Sequence, residues 1–128
     1  MMLEQLLHKG SVFIGNFVGI NHSKYFVVTG LSKDKICFCA FYINSNIPQS
    51  IINKPKLLNL QVNIKGNKYD FLRHDSFIAC NTPLEMKTAD LHKCKYVGKI
   101  DDEDLTNIIE TVINSKLLTQ NKIKLYFH

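Results

Sequence analysis

Arginine is almost missing from this sequence. Of 16 basic residues only Arg73 is an arginine, and the others are lysines. Also missing is any stretch of about 18 apolar residues, which excludes a membrane-spanning helix. The opening run Met1-Met2-Leu3-Glu4-Gln5-Leu6-Leu7-His8-Lys9 lacks the long apolar segment and small-residue cleavage site of a signal peptide. Cytoplasmic residence is therefore expected, with Cys37, Cys39, Cys80 and Cys94 as reduced thiols. Zinc-ribbon spacing is absent too, since Cys37-x-Cys39 and His92-x-Cys94 do not form the paired motifs of a structural zinc site. In a strand, Cys37 and Cys39 would share one face and act as small core hydrophobes. No repeat, low-complexity tract or internal linker interrupts the chain. Residues 1–128 are expected to form a single domain with no metal and no cofactor.

A chain of 128 residues is long enough to bury one hydrophobic core. Its hydrophobic share of 45% and charged share of 21% exclude an intrinsically disordered protein. The formal charge of +5 biases encounters toward anionic partners but does not by itself mark a nucleic-acid binder. The acidic run Asp101-Asp102-Glu103-Asp104 lies late, so the rest of the chain is more basic than the total implies.

Periodicity predicts a mainly β, α+β protein. Leu3 to Lys9 suits a short amphipathic helix ended by Gly10. Strands are expected at Ser11 to Phe17, Tyr25 to Thr29 and Lys35 to Ile43, with turns at Gly19 to Lys24 and Gly30 to Asp34. The alternation of Leu58, Leu60, Val62 and Ile64 predicts a strand over Leu57 to Ile64, and Lys65-Gly66-Asn67-Lys68 reads as a hairpin loop from which Tyr69 to Leu72 returns. Phe77 to Cys80 is a further short strand. Five or six closely spaced strands suggest a small antiparallel barrel or curled sheet. The clearest helix begins at an Asp101 or Asp102 cap and carries the stripe Leu105, Ile108, Ile109, Val112, Ile113 to about residue 115. Thr88 to Cys94 suits a shorter helix, and the alternating Ile123, Leu125 and Phe127 would suit a strand.

The lone arginine falls in Arg73-His74-Asp75-Ser76. A guanidinium pairs with two phosphate oxygens at once, and an imidazole moves protons near neutral pH. A carboxylate orients or deprotonates, and a hydroxyl anchors. Phosphodiester chemistry needs these group types, but the same tetrad also suits a surface turn. Aromatic residues such as Tyr25, Phe26, Phe38, Phe41 and Phe77 are assigned to the core, and the acids Asp101 to Asp104 to helix capping.

The order of segments resembles the PemK/MazF-like toxins of toxin–antitoxin systems. Gly10-Ser11-Val12-Phe13 opens the first strand, and His22-Ser23-Lys24-Tyr25-Phe26-Val27-Val28 matches the second. Ile43-Asn44-Ser45 ends the third, His74 to Asn81 resembles the late strand and its exit, and Val97-Gly98-Lys99-Ile100 leads into the last helix. The resemblance implies an SH3-like antiparallel β-barrel with a C-terminal helix and short additional helices, usually as a homodimer. It further implies a metal-independent endoribonuclease acting on single-stranded RNA through 2′-OH attack, silenced by an antitoxin protein.

Where many members carry Arg-Pro entering the second strand, this chain has His22-Ser23-Lys24-Tyr25, so Lys24 is the only nearby permanent cation. The late-strand Arg and Asp of other members fall near Ala79 and Asn81 and are absent here. Arg73, His74 and Asp75 lie just upstream of those positions and are expected, on their own chemistry and not by carry-over from the family, to serve in their place. The expected catalytic set is Arg73, His74, Asp75 and Lys24, with His22, Ser45, Ser76 and Asn81 contacting substrate. Two alternatives stay open: a non-catalytic module binding nucleic acid or a partner protein, and a toxin that inhibits a protein target.

Overall fold

The computed structural model describes residues 3–17 and 22–128; the expected Gly19 to Lys24 turn lies in part outside them. Three long neighbours set the architecture: β1 (Ser11–Gly15), β2 (Lys24–Leu31) and β3 (Cys37–Asn44). They pair antiparallel, with Val12 opposite Val27 and Val27 opposite Phe41. β2 and β3 read as near-continuous apolar runs because both faces of the sheet are covered. Val12, Val27, Phe41, Ile43 and Ile78 pack into one cluster, and Phe13, Phe26, Val28, Phe38 and Ala40 into the other.

β3 divides its partners along its length. Its first half pairs with β6 (Leu84–Lys87), and its end pairs with β5 (Ser76–Ala79), which in turn pairs with β4 (Gln61–Ile64). On the far side β1 pairs with β7 (Lys95–Lys99). The result is a seven-stranded antiparallel sheet in the order β4-β5-β3-β2-β1-β7, with β6 off that path. The expected closed barrel does not form, because β4 and β7 remain separate edges. The segment after β4 crosses that seam with its rings instead of pairing its backbone. Tyr69 is buried in the first cluster, and Phe71 packs against Gly98 of β7.

Several local expectations are corrected. The Leu57 to Ile64 alternation is split, because Pro55 at the first helical position starts the short α2 (Pro55–Leu58) before β4. α1 (Gln49–Ile52) precedes it. Gly66–Lys68 is a 3-10 turn, and the strand partner of β4 is β5, not Tyr69 to Leu72. The N-terminal helix is a 3-10 turn at Leu3–Leu6, and the Thr88 to Cys94 helix is a 3-10 segment at Thr88–Lys93.

α3 (Asp102–Ser115) forms where its stripe predicts, with Ile108 and Val112 buried in the first cluster and Ile113 left 38% exposed. Asp101 caps it by accepting from the Asp104 N–H at 2.8 Å. The tail is helical, as α4 (Gln120–Tyr126), capped by Thr119. Ile123, Tyr126 and Phe127 turn inward at helical spacing, which overrides the strand-like alternation. α4 approaches β2 closely at Gly30, where a Cβ would stand 2.6 Å from that of Tyr126. No helix among the described residues is long and apolar enough to cross a membrane.

Candidate functional site

The loop between β4 and β5 carries Arg73, His74 and Asp75, and its base is clasped shut. The Asp75 carboxylate accepts from the Gly66 N–H at 2.9 Å and from Lys65 at 3.4 Å. That backbone hydrogen bond, helped by Lys65, holds the Asp75 pKa below the usual carboxylate range. Gly66 is buried so close to the opposite strand of the loop that a Cβ would sit 2.4 Å from the His74 carbonyl carbon. The Ser76 hydroxyl, also buried, donates to the His74 carbonyl at 3.2 Å. Asp75 and Ser76 thus hold the backbone on which Arg73 and His74 stand.

Arg73 and His74 are exposed. The His74 Nδ1 lies 3.0 Å from the Asp75 carbonyl oxygen. A carbonyl accepts only, so Nδ1 is the donor in this contact, and a neutral ring bonded in this way has its basic nitrogen at Nε2. Ser45, just past the end of β3, joins Arg73, His74, Asp75, Asn46 and Asn67 around one open depression. A guanidinium, an orientable imidazole and a hydroxyl converging on one hollow can bind a phosphate and exchange a proton with a group attached to it.

Lys24 stands elsewhere. Successive strand residues point to opposite faces. Tyr25 and its strand partner Ile43 line a second cavity that adjoins this depression and shares Ser45, Arg73 and His74 with it, so Lys24 faces away from that side. Its ammonium sits 5.3 Å from the Tyr42 ring centroid and donates to Asn44 Oδ1. Partial burial there lowers its pKa. His22 is exposed, two residues before β2. Asn81 lies past the far end of β5, on the order of 15 Å of extended chain from Ser76, where it accepts from Gln61 at 2.7 Å. The structure therefore gathers Arg73, His74, Asp75, Ser76 and Ser45, and leaves Lys24 and Asn81 apart.

Sequence reasoning missed Asn46, Asn67, Tyr25 and Phe71 as lining groups. Tyr25 reads from the sequence as a core residue, and Phe71 falls in a segment that reads as a strand. Only a chain path that leaves β4 without pairing brings Phe71 to Tyr25, and no local pattern announces it.

The other charged clusters hold the fold. Lys68 bridges Asp101 at 2.6 Å and Asp104 at 3.1 Å, and the Tyr69 hydroxyl donates to Asp104 while accepting from the Asp101 N–H. Glu85 accepts from Lys122 at 2.6 Å and Tyr126 at 2.9 Å, pinning α4 to β6. Among the described residues no group of three or more His, Cys, Asp and Glu side chains is arranged to hold a metal ion. Cys39 and Cys80 are core residues, with both thiols pushed up to about 12 by burial.

Comparison of the sequence with protein-family models and with curated proteins found no match.

Proposed function

We propose that this chain is a divergent PemK/MazF-like endoribonuclease that cuts single-stranded RNA without a metal ion. The observation that carries this reading is the Arg73–His74 corner. A guanidinium and an imidazole whose Nδ1 meets the Asp75 carbonyl share one open hollow with Ser45. In this reading Arg73 donates to the non-bridging oxygens of the scissile phosphate and stabilises the charge of the phosphorane. His74 Nε2 takes the 2′-OH proton as that oxygen bonds to phosphorus. The bond to the 5′ oxygen breaks, and the proton returns to it from His74. The products are a 2′,3′-cyclic phosphate and a 5′-hydroxyl.

Asp75 acts as a positioning residue, because its carboxylate is already engaged by Gly66 and Lys65. Lys24 attracts flanking phosphates from the other face instead of serving the reacting group. The open sheet with its seam filled by Tyr69 and Phe71 is read as an SH3-like barrel that stops short of closure. A homodimer and an acidic antitoxin are the partners this reading brings, the latter suited to a chain of charge +5.

A non-catalytic binding module is the second reading. Its support is that His74 is the one proton-transfer side chain of the tetrad not already committed to holding the loop, Asp75 being engaged at its base. Incubation of the purified protein with a long single-stranded RNA in EDTA separates the two. Discrete fragments with 5′-hydroxyl ends, absent with Arg73→Ala and His74→Ala, support the enzyme. Intact RNA that is nevertheless bound supports the module.

A further inference from the structure

A second, narrower slot of about 300 Å³ adjoins the open hollow and shares Ser45, Arg73 and His74 with it. Its lining is mixed: Tyr25, Ile43, Phe71 and Leu72 give apolar surface, and Ser76 with the shared Ser45, Arg73 and His74 gives polar surface. The Phe71 ring is fixed from behind. It stacks on Tyr69 with centroids 5.3 Å apart at 27°, and Gly98 gives it room, since a Cβ there would come within 2.8 Å of Phe71 Cδ1. Its centroid lies 6.3 Å from that of Tyr25, at a tilt of 40°. Two aromatic rings, one of them held from behind, therefore line a slot together with a permanent cation and an imidazole.

That pairing of surfaces matches one nucleotide. A phosphate held by Arg73 carries its nucleoside with it, and the rings of Tyr25 and Phe71 in the adjoining slot give a flat aromatic group a surface to stack on. The slot's volume sits at the lower end of small-molecule sites, which suits one unpaired base and not two. Unpaired RNA bases are commonly taken up by stacking on aromatic side chains. We infer that the slot is a nucleobase subsite, receiving one base against Tyr25 and Phe71 while Arg73 holds the neighbouring phosphate. The inference takes its substrate class from the ribonuclease reading, but it concerns binding and does not require cleavage.

The test is an NMR titration of the full chain with each of the four nucleoside 3′-monophosphates and with inorganic phosphate. At least one nucleotide is expected to bind about tenfold more tightly than inorganic phosphate. It should shift the ring resonances of Tyr25 and Phe71, which phosphate alone should leave in place. Phe71→Leu should erase the nucleotide's advantage and keep the affinity for phosphate, whereas Arg73→Ala should weaken both. Nucleotides that bind no better than phosphate, or wild-type rings unmoved at saturation, overturn the subsite. The wild-type ring shifts decide the matter if Phe71→Leu does not fold. Uncut RNA alongside intact nucleotide binding removes the enzyme and keeps the subsite. Cut RNA without ring shifts removes the subsite alone.

Discussion

Removing one oxygen, in Tyr69→Phe, should measurably loosen the joint between the sheet and α3. The Tyr69 hydroxyl donates to Asp104, which is 8% exposed, and accepts from the Asp101 N–H at 3.0 Å. Burial pushes the phenol pKa above the usual tyrosine range, in keeping with a hydroxyl that stays protonated in this site. A hydrogen bond to a charged group contributes about 1.5–3 kcal/mol. Lys68 still pairs with Asp104 at 3.1 Å after the substitution, so the carboxylate keeps one partner. The expected loss is therefore near the middle of that range, about 2 kcal/mol. For a domain of this size that corresponds to a fall in Tm on the order of 8 °C. Thermal unfolding followed by circular dichroism reads it directly. A loss under about 0.5 kcal/mol would place the hydroxyl among ordinary surface groups and refute the view that this oxygen locks α3.

Lys68→Met should lower Tm by less than Tyr69→Phe, and the difference from wild type should shrink as salt rises, since Lys68 is about one-third exposed. Gly66→Ala should drive the chain into the His74 carbonyl and cost about 1–3 kcal/mol by overpacking; RNA affinity should fall with it, and an unchanged affinity in a folded variant would separate the loop base from the site. The folded-state pKa values of Asp75, Glu85 and Asp101 are depressed. Their contribution is present above the unfolded carboxyl range, about pH 4, and is lost as pH falls through the lower folded values. The thiols of Cys39 and Cys80 and the phenols of Tyr69 and Tyr126 are raised, so their contribution is present below the unfolded thiol range, about pH 8.5, and is lost as pH climbs past it. Urea midpoints should hold a plateau between these limits and drop on both sides. At pH 8, iodoacetamide should modify the half-buried Cys37 and Cys94 before the buried Cys39 and Cys80, as peptide mapping would show.

How much was readable in the sequence depended on the range of the forces involved. β1, β2, β3 and α3 were legible because each carries its own periodicity, and the Asp101 cap because it is local chemistry. The tail was not, since Ile123, Leu125 and Phe127 alternate like a strand while Thr119 caps a helix and Gly30 opens the space it occupies. β6 and β7 were missed, being short and rich in charge. At the site, the tetrad marked a loop correctly, but side-chain direction on β2 lay beyond composition. That direction sends Lys24 to one face and Tyr25 to the other. The slot behind Arg73 arises from residues 25, 43 and 71, whose meeting depends wholly on the tertiary path.

In the proposed reaction His74 carries a proton during metal-free cleavage of RNA. Imidazole rescue tests it most directly, with wild type and His74→Ala acting on a long single-stranded RNA in EDTA, with and without added imidazole. Expected is cutting by wild type, none by the variant, and partial return of the same fragments when imidazole is supplied. Cleavage by His74→Ala at the wild-type rate, or no cleavage by either protein, would contradict it.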